Sequence, residues 1–190
     1  MRADARKNYD HLLAVAQKVL QEQGADVSMR DIARQADVGV GTLYRHFPTR
    51  EALLETLLRS SFDDLAAKAA ALENDAAADE ALVAWLADII GFTHEHRGIL
   101  APMMSAIEDP DSALHDACVR LKGAGASLLR RAQNAGLARA DLDGAELFDL
   151  IAALAWLREQ PAHAARSGRL FSIVRDTILR PTGEAPPRRP

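Results

Sequence analysis

Between residues 40 and 47 the chain reads Val-Gly-Thr-Leu-Tyr-Arg-His-Phe, and these side chains divide by chemistry. At about 100° per residue, Val40, Leu43 and Phe47 share one side of a helix, while Gly41, Thr42, Arg45 and His46 share the other. Tyr44 stands on the boundary, beside Val40 and Phe47, which predicts a ring turned toward the core. Glycine admits a close backbone approach, and the hydroxyl, guanidinium, imidazole and phenol suit phosphate oxygens or base edges. A helix face that meets only water is usually filled by Glu, Lys and Gln. The pattern points to binding nucleic acid.

Other groups with chemical potential do not assemble. His94 and His96 flank Glu95, but their spacing sets them about 200° apart on a helix, so both cannot face one ion there. Asp109, Asp111 and Asp116 surround a proline-containing turn with no nucleophile pattern nearby, which favours capping or solvation over acid-base work. No glycine-rich phosphate loop follows a strand. Cys118 is the single cysteine, so it forms no internal disulfide, and its place beside Leu114 and Leu121 predicts a buried, inert thiol. No nucleophile, base and oxyanion group come together, so no enzyme, metal or cofactor is expected.

The elements that must position residues 40–47 are helical. Tyr9, Leu12, Leu13, Ala16, Val19 and Leu20, with Gly24 as a stop, predict a first helix near residues 5–23. Ser28 with Asp31 three residues on resembles a capping box and opens a short second helix with Ile32, Ala33 and Ala36 inside. Asp37, which tolerates left-handed backbone, begins a break to Gly39; Pro48 ends the third helix at Phe47. Two short helices joined by so short a turn match a helix-turn-helix, although a packed helical corner gives the same spacing.

Thr49 then caps a long fourth helix whose stripe of Leu53, Leu54, Leu57, Leu58, Phe62 and Leu65 continues to about Leu72. Further helices are predicted from Asp79 to Arg97, through Met103, Met104 and Ile107, from Ser112 to Gly136, from Asp143 to Pro161 and from about Ser167. Gly123 and Gly125 weaken the middle of the third of these. Residues 181–190 hold four of the eight prolines and read as a disordered tail. No alternating run suggests a sheet, so the fold class is all-α. No apolar stretch nears the roughly 18 residues of a membrane span, and no apolar segment follows Met-Arg-Ala-Asp-Ala-Arg-Lys, so a cytoplasmic location is expected. The net charge of -4 is an average: residues 1–60 carry 9 Lys/Arg against 8 Asp/Glu, and the remainder 14 against 19. That asymmetry permits a DNA surface near the N-terminus without requiring one.

The stretch Ile32-Ala33-Arg34-Gln35-Ala36-Asp37-Val38-Gly39-Val40-Gly41-Thr42-Leu43-Tyr44-Arg45-His46-Phe47-Pro48-Thr49-Arg50-Glu51-Ala52-Leu53 closely resembles the DNA-binding domain of the TetR/AcrR family. The resemblance extends from the first helix through Leu58. The C-terminal half also looks like the SbtR-like branch, through Thr93-His94-Glu95-His96-Arg97-Gly98, Asp109-Pro110 and Leu154-Ala155-Trp156. It implies an N-terminal three-helix helix-turn-helix domain over 1–58, joined by a long helix to a helical effector-binding and dimerisation domain over 59–180. The implied function is that of a homodimeric transcriptional repressor, released from a palindromic double-stranded DNA operator by an unknown small molecule.

Carried over by position, the resemblance implies phosphate contacts from Thr42, Tyr44, His46 and Arg50, a base or phosphate contact from Arg45, and Ser28 and Arg30 facing the DNA backbone. Two positions depart from the family pattern: Gly39 stands where Ser or Thr is frequent, and Val40 where Lys is frequent. The resemblance places an effector pocket near Trp85, Phe92, Met103, Met104 and Trp156, residues that core packing explains equally well. It also implies dimerisation through residues 143–180, where Leu150, Leu154, Trp156, Leu157, Phe171 and Val174 exceed what one inward stripe needs. The rival readings are a helical small-molecule-binding protein whose N-terminal domain no longer holds DNA, and an activator of the same fold.

Overall fold

The computed structural model describes residues 2–24 and 26–179; the tail expected at 181–190 lies outside them. Its helices are α1 (Arg2–Gln23), α2 (Met29–Gln35), α3 (Val40–His46), α4 (Arg50–Asp75), α5 (Ala78–Glu95), α6 (Arg97–Leu100), α7 (Met104–Glu108), α8 (Ala113–Asn134), α9 (Gly144–Glu159), α10 (Pro161–Ala164) and α11 (Ser167–Ile178). A 3-10 turn at Ala101–Met103 separates α6 from α7, so the short helix expected through Met103, Met104 and Ile107 starts only at Met104. The fold is all-α. Among the described residues the only β pairing is an isolated bridge from Ala138 to Leu179, and no helix is long and apolar enough to cross a membrane.

The chain forms two compact units, Met1–Ser61 with Glu95–His115, and Phe62–His94 with Asp116–Pro190. This spatial division and a linear cut at residue 58 are different partitions. In the first unit, Leu12, Ala16, Val19 and Leu20 of α1 meet an interior shared by Ile32 and Ala33 of α2, Leu43 of α3, and Leu53, Leu54, Leu57 and Leu58 of α4, all buried. Full burial of each Leu or Ile is worth about 1.5–3 kcal/mol, which anchors the two short helices that would be unstable alone.

The end of α2 sets the angle at which α3 leaves. Asp37 adopts φ 53, and the Val38 N–H donates to the Ala33 carbonyl at 3.0 Å while the Asp37 N–H donates to Arg34 at 3.2 Å. This pair of bonds closes a Schellman motif with an aspartate in the left-handed position, as the break after Ala36 predicted.

In the second unit Trp85 is fully buried, donates its indole N–H to the Leu65 carbonyl at 3.1 Å and meets Phe148 edge-on at 5.8 Å. A Cβ on Gly125 would lie 2.2 Å from the Trp85 ring, so α8 carries glycine there to let the indole reach its backbone. Gly123, two residues earlier, has nothing within 4 Å of such a Cβ, and no contact explains it. Asp143 and Glu146 form a reciprocal capping box, at 2.8 and 2.9 Å, that starts α9.

Candidate nucleic-acid interface

Ser28 opens α2. Its hydroxyl accepts the Asp31 N–H at 3.1 Å and donates to the Asp31 carboxylate at 2.6 Å. Hydroxyl and carboxylate thus bond directly. Arg34 pairs with the same carboxylate at 2.8 Å. The Ser28 hydroxyl, against partial desolvation and with help from Arg34, holds Asp31 below its usual carboxyl value. Ser28 and Arg30 are both exposed at this end of α2.

α3 begins at Gly39, whose φ of -64 is ordinary and which supplies no side-chain cap. Leu43 and Phe47 fix the helix to the core, with Val40 half-buried beside them. Gly41, Arg45 and His46 are exposed on the opposite side and Thr42 is half-buried. Arg45 donates to the Thr42 hydroxyl at 3.0 Å, one turn back, so the two side chains form a connected pair. His46 is held from behind: its ring meets Tyr9 of α1 edge-on at 5.6 Å, and Tyr9 also lies 5.4 Å from Phe47.

Tyr44 differs from expectation. It is 46% exposed, so its ring is not sealed against the core. The inner side of this two-turn helix is filled by Leu43 and Phe47, and Val40 at its open first turn is itself only half-covered. A ring at that angle therefore projects from the rim.

Arg50 stands at the start of α4, half-buried, and its guanidinium donates to the Val27 carbonyl, tying the segment before α2 to α4. Twenty-three residues separate the two, and no local pattern shows the bond. Thr49 caps α4 as expected, accepting the Ala52 N–H at 3.1 Å. The structure therefore brings Thr42, Arg45 and His46 onto the outer side of one helix and Tyr44 to its rim, with Tyr9 as a support that sequence reasoning missed. Tyr9 was legible only as the first apolar residue of a stripe.

The residues considered for an effector site belong to both units. Trp85 and Phe92 are buried in the second unit, Phe92 against Phe62 at 5.6 Å, and Trp156 there is 61% exposed. Met103 is buried and Met104 exposed, both in the first unit. Among the described residues no group of three or more His, Cys, Asp or Glu is placed to hold a metal ion. Cys118 is half-buried, and burial pushes its thiol up, with Lys122 opposing.

Two family models account for most of the chain. That of the bacterial regulatory proteins of the tetR family matches residues 12–57, and that of the SbtR-like transcriptional regulator C-terminal domain matches residues 77–179. The second alone spans more than half of the sequence. The chain belongs to the TetR family. A TetR transcriptional regulator from Streptomyces coelicolor is 33% identical, with 92% of this chain and 99% of that one covered at a TM-score of 0.73. A TetR transcription regulatory protein from Mycobacterium vanbaalenii is 29% identical over 94% and 98%, with a TM-score of 0.72. An HTH-type transcriptional regulator of Staphylococcus aureus (strain USA300) is 36% identical over 64 residues, 33% of this chain and 35% of that protein. The match thus spans about a third of the length of that curated relative. TetR-family proteins are DNA-binding transcription regulators rather than enzymes, and in this TetR-family chain the matched N-terminal segment contains α2, the Schellman turn and α3.

Proposed function

We propose that this TetR-family chain is a cytoplasmic homodimeric repressor that grips a palindromic operator and lets go when a small molecule binds in its C-terminal domain over residues 59–180. The observation that carries the DNA reading is the exposed side of α3, where the bonded Thr42–Arg45 pair and His46, with Tyr44 at the rim, are displayed over a buried Leu43–Phe47 anchor. In the groove, Arg45 reaches a base edge, and Thr42, Tyr44 and His46 hold phosphates. Gly41 allows close approach. Ser28, Arg30 and Arg50 contact the flanking backbone. Arg50 has one donor committed to Val27 and keeps others for phosphate.

A two-fold operator needs a two-fold protein, and residues 143–180 supply the face for it. Trp156 is 61% exposed, Ile173 52% and Leu150 36%. Leu154, by contrast, is buried and Phe171 is half-buried, so these two belong to the protomer's own packing rather than to its outer face.

The test is titration of the chain against DNA upstream of its own gene and against a scrambled duplex, by gel mobility at several salt concentrations. The expected result is preferential binding to the upstream DNA that weakens steeply with salt. Absence of any salt-dependent binding would leave a helical ligand-binding protein instead. Reporter transcription with and without the chain separates a repressor from an activator.

A further inference from the structure

The second unit contains a cleft of about 270 Å³ bordered by α5, α9 and α11. Ile90, Leu154 and Phe171 make an apolar wall, and Arg158, Ser167 and Gly168 make a polar end. The size lies just below the roughly 300–1,000 Å³ usual for small-molecule sites, which suits a single ring or a short chain.

The polar end has one sign. Arg158 is half-buried, and among the described residues it pairs with no carboxylate and no acidic side chain lines the cleft. A cation withdrawn partly from water gains most from an anion. The first turn of α11 has no side-chain cap, and its Ser167 and Gly168 line the same cleft, which sets the positive end of the helix dipole beside it. The Ser167 hydroxyl is already spent on the Ala164 carbonyl at 2.8 Å, which leaves Arg158 and the backbone as the available donors. One guanidinium matches one negative charge. An inorganic anion would satisfy this end but leave the apolar wall wet.

We propose that the cleft binds a small organic monocarboxylate, with its carboxylate on Arg158 and the first turn of α11 and its apolar body against Ile90, Leu154 and Phe171. This gives the effector a chemical class; its regulatory meaning rests on the proposed function, whereas binding does not.

The test titrates the full chain with hexanoate and benzoate, and with hexanamide and benzamide as uncharged counterparts, by calorimetry and by amide NMR. Expected are binding of an acid at least tenfold tighter than its amide, shifts of the Gly168 and Phe171 amides, and loss of the acid-over-amide preference in Arg158→Gln, with partial retention in Arg158→Lys. Circular dichroism and sedimentation confirm that the variants keep fold and oligomeric state. Equal binding of acids and amides, no binding of either acid, or a preference that survives Arg158→Gln would overturn the proposal. Operator titrations are run separately. Acid binding without release of DNA upholds the cleft and removes the regulatory reading, whereas salt-dependent DNA binding with no acid binding removes the cleft alone.

Discussion

Arg45 and Arg50 carry the same charge five residues apart in very different surroundings. Arg45 is exposed and donates to the Thr42 hydroxyl, while Arg50 is half-buried and bonded to the Val27 carbonyl. Arg45→Ala is expected to cost about 1–3 kcal/mol per half-site and to relax sequence preference without changing thermal unfolding. Arg50→Ala is expected to weaken operator and scrambled duplex alike and to lower stability by about 1–3 kcal/mol, because the carbonyl loses a charged donor. Operator and control titrations paired with melting curves check both; equal loss on both duplexes for Arg45→Ala would make it a backbone contact. Tyr44 gives a second test. Its exposure means that Tyr44→Ala should leave the melting temperature nearly unchanged, where a packed ring would have made it fall. Tyr44→Phe should still lose about 1–2 kcal/mol of DNA affinity per half-site if the hydroxyl holds phosphate. Helical angle alone placed Tyr44 beside Val40 but could not tell whether anything covered that rim. The Arg45 side of the helix was legible because residue type and period agreed there.

The elements illustrate where one-dimensional reasoning succeeds. Start signals at Ser28, Thr49 and Asp143 all fall on observed caps, because each acts on backbone within three residues. The turn after α2 was equally local, and it yields a prediction: Asp37 stands at φ 53, so Asp37→Gly should stabilise the first unit by about 0.5–1 kcal/mol, measured by denaturant midpoint. Asp37→Val should lose more than that. Glycine spacing, in contrast, misled. Gly123 and Gly125 look alike in sequence, but only Gly125 faces the Trp85 ring, forty residues away along the chain. Gly123→Ala should therefore gain up to about 1 kcal/mol from helix propensity, and Gly125→Ala should lose about 1–3 kcal/mol through overpacking. If both variants melted alike, the close approach of Trp85 would not be the reason for the glycine.

At the scale of the molecule, the all-helical class was readable because helical periodicity runs through the chain, and the family because residues 32–53 resemble its DNA-binding domain. The proposed partner face rests in the sequence on an excess of apolar residues, and exposure sorts that excess. The double variant Trp156→Glu with Ile173→Glu should sediment as a monomer with unchanged helicity, whereas Leu154→Glu should unfold the second unit by placing a charge where Leu154 is only 8% exposed. A double variant that still sediments as a dimer would move the interface elsewhere. The two tryptophans both lie in the second unit and the two tyrosines both in the first. Light absorbed by indole alone therefore reports on one unit only, through one emitter shielded beside Phe148 and another in water. As chains associate, the emission of Trp156 should shift to the blue while that of Trp85 stays fixed, and Trp156→Phe should abolish the shift. The DNA-binding unit is silent in that light, so one cuvette can follow assembly without interference from the unit that reads the operator.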